Sequence, residues 1–112
     1  VVQARVAEAE GAWRAARALL FGTVTAAAEA GPAEIAPRAD LRLAATHATR
    51  AAAAAVASMY HAGGGSAVYS RSPLQRCFRD VNVATQHVMV AEPTLEVVGR
   101  ALLGLPVQTA EL

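Results

Sequence analysis

At 112 residues the chain has room for one domain built on one modest core. Its net charge of +1, from ten basic residues that are all arginine and are scattered rather than clustered, supplies no cationic field for nucleic acid or an anionic membrane. The lone Cys77 excludes an internal disulfide, argues against a cysteine-based metal site and suits a reducing cytoplasm; alanine dominates and aromatics are only 4%, which favours helix.

From Val2 to about Glu29, apolar residues recur at alternating spacings of four and three: Val2, Val6, Ala9, Trp13, Ala16, Leu20, Val24. Polar Gln3, Arg5, Glu8, Glu10, Arg14 and Arg17 fill the remaining positions. The pattern predicts a long amphipathic helix with a coiled-coil-like seam, Trp13 as a core anchor, and a stop at Gly31-Pro32. A second helix is expected from near Pro37 and Asp40 to His61, with a seam of Leu41, Ala44, Ala48, Ala52, Ala55 and Met59. Small side chains there permit close approach of a neighbour but bury little area. The alanine run from Ala51 to Ala57 is too short and too weakly apolar to span a bilayer, and no signal peptide is visible.

Gly63-Gly64-Gly65 ends the second helix and opens a turn. Ser72-Pro73 starts a third, with Ser72 as N-cap and Pro73 in the first turn, running to about Ala91; Leu74, Phe78, Val81 and Val88 form its apolar side and Cys77 is expected to be buried. A fourth helix is expected over about Thr94 to Leu103, stopped by Gly104 and Pro106. The expected architecture is all-α, an up-down four-helix bundle occupying residues 1–112. The chain begins already in helical register at Val1, as a piece cut from a longer protein would.

The third segment carries the chemistry. At about 100° per residue, Arg76, Asp80, Val83 and His87 share one stripe opposite the apolar side. An Arg76–Asp80 surface pair with a solvated His87 accounts for this without function; a site built on His87 is the sharper reading. The glycine run is, on residues alone, a flexible joint or a backbone that can approach phosphate. His47 and His61 have no acidic or cysteine partner at ligand spacing, so no metal site is expected.

Taken in order, the small-residue turn from Gly63 to Tyr69, then Ser72-Pro73-Leu74-Gln75-Arg76, then Phe78-Arg79-Asp80 and finally His87 resemble the C-terminal domain of the acyl-CoA dehydrogenase superfamily, and within it the branch of two-component flavin-dependent monooxygenases. The match runs over residues 61 to 106; the first two helices agree in length and character only. The resemblance implies that His87 is a catalytic hydrogen-bonding or acid/base residue at the reactive edge of reduced flavin, FMN or FAD. It also implies that Gly63, Gly64, Gly65 and Ser66 approach the flavin of a neighbouring subunit and that Arg76 can reach a flavin phosphate, while Arg79 and Asp80 are assigned to a structural network.

Further implications are a homotetramer, a separate flavin reductase and a small-molecule substrate, aromatic or polycyclic, with no role for nucleic acid or membrane. The glutamate base and the Gln-x-x-Gly-Gly pattern of typical dehydrogenases are not clear here, since His61-Ala62 precede the glycines. An acyl-CoA dehydrogenase domain oxidising an acyl thioester with FAD is the first alternative, and a non-catalytic helical oligomerisation module the second.

Overall fold

A computed structural model describes residues 1–65, 72–87 and 89–112. Ser66, Tyr69 and Val88, named above, lie outside the described residues. The chain forms an all-α, up-down four-helix bundle: α1 Val2–Ala30, α2 Ile35–Ala62, α3 Pro73–Ala84 and α4 Glu92–Leu102, followed by a short 3₁₀ turn at Thr109–Glu111. Helix α2 is the hub, with α1, α3 and α4 each packed on it.

The helix ends follow the local chemistry. Gly31 takes φ 89° and its N–H reaches Ala27 O, so α1 closes where a side chain would be strained. Gly64 (φ 62°) turns the chain out of α2. At the end of α4, Gly104 N–H bonds Ala101 O at 3.1 Å and Leu105 N–H bonds Arg100 O at 2.9 Å, the paired bonds of a Schellman motif around a left-handed glycine. Helix α2 begins at Ile35, so Pro37 sits within its first turn, where no intrahelical N–H is needed.

The core is small. Ala16, Ala39, Ala44, Val98 and Leu112 are its buried apolar residues among those described, and three of the five are alanines, which let backbones approach but remove little apolar surface from water. The accessible surface is 7373 Å², whereas a compact monomer of this mass exposes about 5,800 Å². The radius of gyration of 16.4 Å likewise exceeds the roughly 13 Å of a compact domain of this length.

Three expectations are corrected here. Trp13 is 56% exposed rather than a core anchor, and of the α1 seam only Ala16 is buried, because α1 packs mainly on α2 and no other element covers Val2, Val6, Trp13 and Val24. Cys77 is exposed rather than buried. The third helix stops at Ala84 rather than near Ala91. There Asn82 Nδ2 donates to Phe78 O at 2.7 Å and Thr85 Oγ1 donates to Asn82 O at 2.7 Å, so polar side chains take up carbonyls of the last turn and compete with helix continuation. The backbone then follows three-residue turns, from Gln86 N–H to Val83 O and from His87 N–H to Ala84 O.

Candidate functional site

His87 therefore leaves the stripe it was expected to share with Arg76 and Asp80. It sits in the turn between α3 and α4, exposed, with its carbonyl accepting from Val90 N–H at 3.0 Å. The imidazole Nδ1 accepts from Met89 N–H at 3.1 Å. An acceptor nitrogen carries no proton, so in the neutral ring the proton is on Nε2, which has no protein partner among the described residues.

Helix α2 anchors this turn from beneath. Arg42 Nη1 lies 3.3 Å from Met89 O and 3.0 Å from Met89 Sδ, while its Nε donates to Leu112 O at 2.5 Å. Arg38, one helical turn earlier, donates to Pro32 O at 3.0 Å and to Thr109 O at 2.9 Å. The 3₁₀ turn is further closed by Gln108 N–H on Glu111 Oε2 at 3.0 Å and by the Arg100–Glu111 ion pair at 3.4 Å. The Gln108 N–H bond chiefly, with Arg100 adding, holds the Glu111 carboxyl below its ordinary value of 4.5 against a partial opposing effect of desolvation.

Two cavities flank the turn, and Val90 lines both. One, of about 460 Å³, lies against α2 and is lined by Arg50, Ala53, Thr85, Gln86 and Glu92. The other, of about 380 Å³, is lined by Leu41, Ala45, Met89 and Leu112 together with Arg38 and Arg42. The first can orient a polar or charged group; the second is largely greasy.

The remaining expected residues gather elsewhere. Gly63, Gly64 and Gly65 follow α2, and Arg76 lies in the first turn of α3; the two helices are joined there by Tyr60 stacked on Phe78 with centroids 4.6 Å apart. Gly64 and Gly65 are exposed, with nothing within 4 Å of a Cβ built on either, and Arg76 is exposed. The ion pairs among the described residues are Arg14–Glu10 and Arg100–Glu111, so Arg76 keeps its donors uncommitted, and exposed Arg79 and Asp80 form no buried network. At 1.5 Å rise per residue, Arg76 and His87 are on the order of 15 Å apart along α3 and its following turn. The expected site residues thus form two separate places rather than one.

Sequence reading missed Arg42 and Met89. The signal was an Arg38/Arg42 pair at i,i+4 in an alanine-rich helix, where two like charges on one face call for acceptors from elsewhere in the fold. Among the described residues no group of three His, Cys, Asp or Glu side chains could hold a metal ion, and no helix is long and apolar enough to cross a membrane.

The chain is 37% identical over 108 residues to an indole-3-acetate monooxygenase of Pseudomonas putida and 33% identical over 112 residues to one of Acinetobacter baumannii, spanning 28% of the length of each. Among solved structures, the HsaA monooxygenase of M. tuberculosis superposes with a TM-score of 0.83 at 27% identity, covering 96% of this chain and 30% of that one. The 3-HSA hydroxylase of Rhodococcus sp. RHA1 shares the fold with a TM-score of 0.88 at 24% identity, covering 99% of this chain and 31% of that one. The family model described as acyl-CoA dehydrogenase, C-terminal domain, matches residues 1–92, through the glycine turn and α3 to His87, and the chain belongs to that family.

Proposed function

We propose that this chain is the C-terminal domain of a reduced-flavin-dependent monooxygenase that hydroxylates an aromatic or polycyclic small molecule. The observation that carries the reading is the identity of 37% and 33% to two monooxygenases named for an indole substrate, over nearly the whole of this chain. When bound, reduced flavin supplies the two electrons that split dioxygen, one atom entering the substrate and the other leaving as water.

The chain's own residues supply positioning. His87 presents Nε2–H as a donor, since Nδ1 is engaged by Met89 N–H, and a donor suits an oxygen that gains negative charge during transfer. The exposed backbone of Gly64 and Gly65 and the uncommitted Arg76 guanidinium have the chemistry to hold a flavin phosphate. Because these lie apart from His87, they serve the flavin of a neighbouring subunit in a homotetramer, with Gly63 at the end of α2 and, by the resemblance, Ser66 as a further cofactor contact. Either FMN or FAD meets these requirements. A separate reductase in a reducing cytoplasm delivers the reduced flavin.

The test is His87→Ala in the full-length enzyme, with reduced FMN or FAD and indole-3-acetate as the probe substrate. Hydroxylated product should fall by about 10²-fold while oxygen uptake persists as hydrogen peroxide. Unchanged coupling of oxygen to product would remove His87 from the site. A second reading, oxidation of an acyl thioester with FAD, draws on the description of the family model, and anaerobic reduction of an electron acceptor by an acyl-CoA would favour it.

A further inference from the structure

We propose that Arg42 is a positioning residue for His87, acting through Met89. The inference rests on the reading of His87 given above, and its test separates the two. Met89 is held at both ends of its backbone: its carbonyl faces the Arg42 guanidinium at 3.3 Å, and its N–H donates to His87 Nδ1 at 3.1 Å. The same guanidinium bonds Leu112 O, so one side chain on the hub helix fixes main chain 47 and 70 residues away in sequence. Toward Met89 these bonds go to a main-chain carbonyl and a thioether rather than to an acidic side chain, which marks a clamp on the turn rather than a surface ion pair.

His87 needs such a clamp because nothing else among the described residues holds its ring. The imidazole is exposed, and its one side-chain hydrogen bond is the one from Met89 N–H. If the turn relaxes, that N–H drifts from Nδ1, both tautomers become accessible, and the outward Nε2–H donor is lost for part of the time. Arginine is required because its planar fork reaches two main-chain oxygens at once, those of Met89 and Leu112; a lysine ammonium at the same place is a point donor on a flexible stem.

The experiment uses the full-length enzyme labelled with ¹⁵N in histidine only, read by solid-state NMR at about pH 8.5. The His87 signals are assigned by difference from His87→Gln. The wild type should show Nε2 protonated and Nδ1 bare, and Arg42→Gln should lower that tautomer ratio about tenfold, the scale of losing one ordinary hydrogen bond. Met89→Leu, which keeps the carbonyl and the N–H, should leave the ratio at the wild-type value. An unchanged ratio in folded Arg42→Gln overturns the proposal, as does an equal shift in Met89→Leu, which would make side-chain packing the cause. Should Arg42→Gln fail to fold, Arg42→Lys retains charge and stem packing and is judged by the same criterion. Product and peroxide are measured in parallel with reduced FMN and indole-3-acetate. A shifted tautomer with unchanged coupling upholds the role of Arg42 and refutes that of His87, whereas an unshifted tautomer refutes the role of Arg42 whatever the coupling.

Discussion

The Tyr60 ring stacks on Phe78 at 4.6 Å between centroids and 28° between planes, and this contact joins the end of α2 to the start of α3. Both residues are half-buried, so the contact is worth less than a full aromatic core pair. It fixes the start of α3, which carries Arg76, against the end of α2, which leads into Gly63–Gly65. Phe78→Ala should loosen α3 at a cost of about 2 kcal/mol, measured as a lower denaturation midpoint. Phe78→Leu should recover more than half of that loss.

A buried hydroxyl offers a stabilising change. Thr46 on α2 is 0% exposed, and its Oγ1 has no hydrogen-bond partner among the described residues. Thr46→Val keeps the shape and removes the unsatisfied oxygen, so stability should rise by about 1 kcal/mol. An unchanged or lower midpoint in chemical denaturation would show that the hydroxyl is satisfied in solution.

Acid should release the tail before it unfolds the helices. The folded Glu111 carboxyl titrates below the ordinary 4.5, mainly through the Gln108 N–H bond. Its contribution is therefore complete above the ordinary value and is lost as pH falls through the lower folded value. Hydrogen exchange of the 108–112 amides should accelerate across that window, and Glu111→Gln should abolish the pH dependence.

The apolar side of α1 should mediate self-association. Trp13 and Phe21 are 56% and 55% exposed, with the Arg17 guanidinium 4.6 Å from the Phe21 centroid and 6.0 Å from that of Trp13. A groove of about 360 Å³ beside them is lined by Ala16, Leu20, Ala48 and Ala52. The chain exposes about 1,500 Å² more than a compact monomer, enough for a standard interface of about 800 Å² per partner. Trp13→Ser with Phe21→Ser should shift sedimentation of the full-length protein to smaller species without loss of helical circular dichroism. A wild-type monomer at high concentration would refute this.

Much of the architecture was legible in the sequence because its causes are local. Alanine content and three-four spacing produced α1 and α2, and Gly31-Pro32, Gly63–Gly65 and Gly104 marked stops that backbone sterics enforce wherever they occur. The ordered motif from the glycine turn to His87 led to the family that the match over residues 1–92 established. Periodicity, however, says which residues share a face and not whether a neighbour covers it. That is why Trp13 and Cys77 proved exposed: α1 and α3 each have α2 as their main neighbour and leave their far sides open. The end of α3 depended on a contest between Asn82, Thr85 and the backbone for the same carbonyls, differing by about a hydrogen bond. The clamp beneath His87 was decided by tertiary structure, since Arg42 meets Met89 and Leu112 across 47 and 70 residues of chain and only the folded bundle brings them within bonding distance.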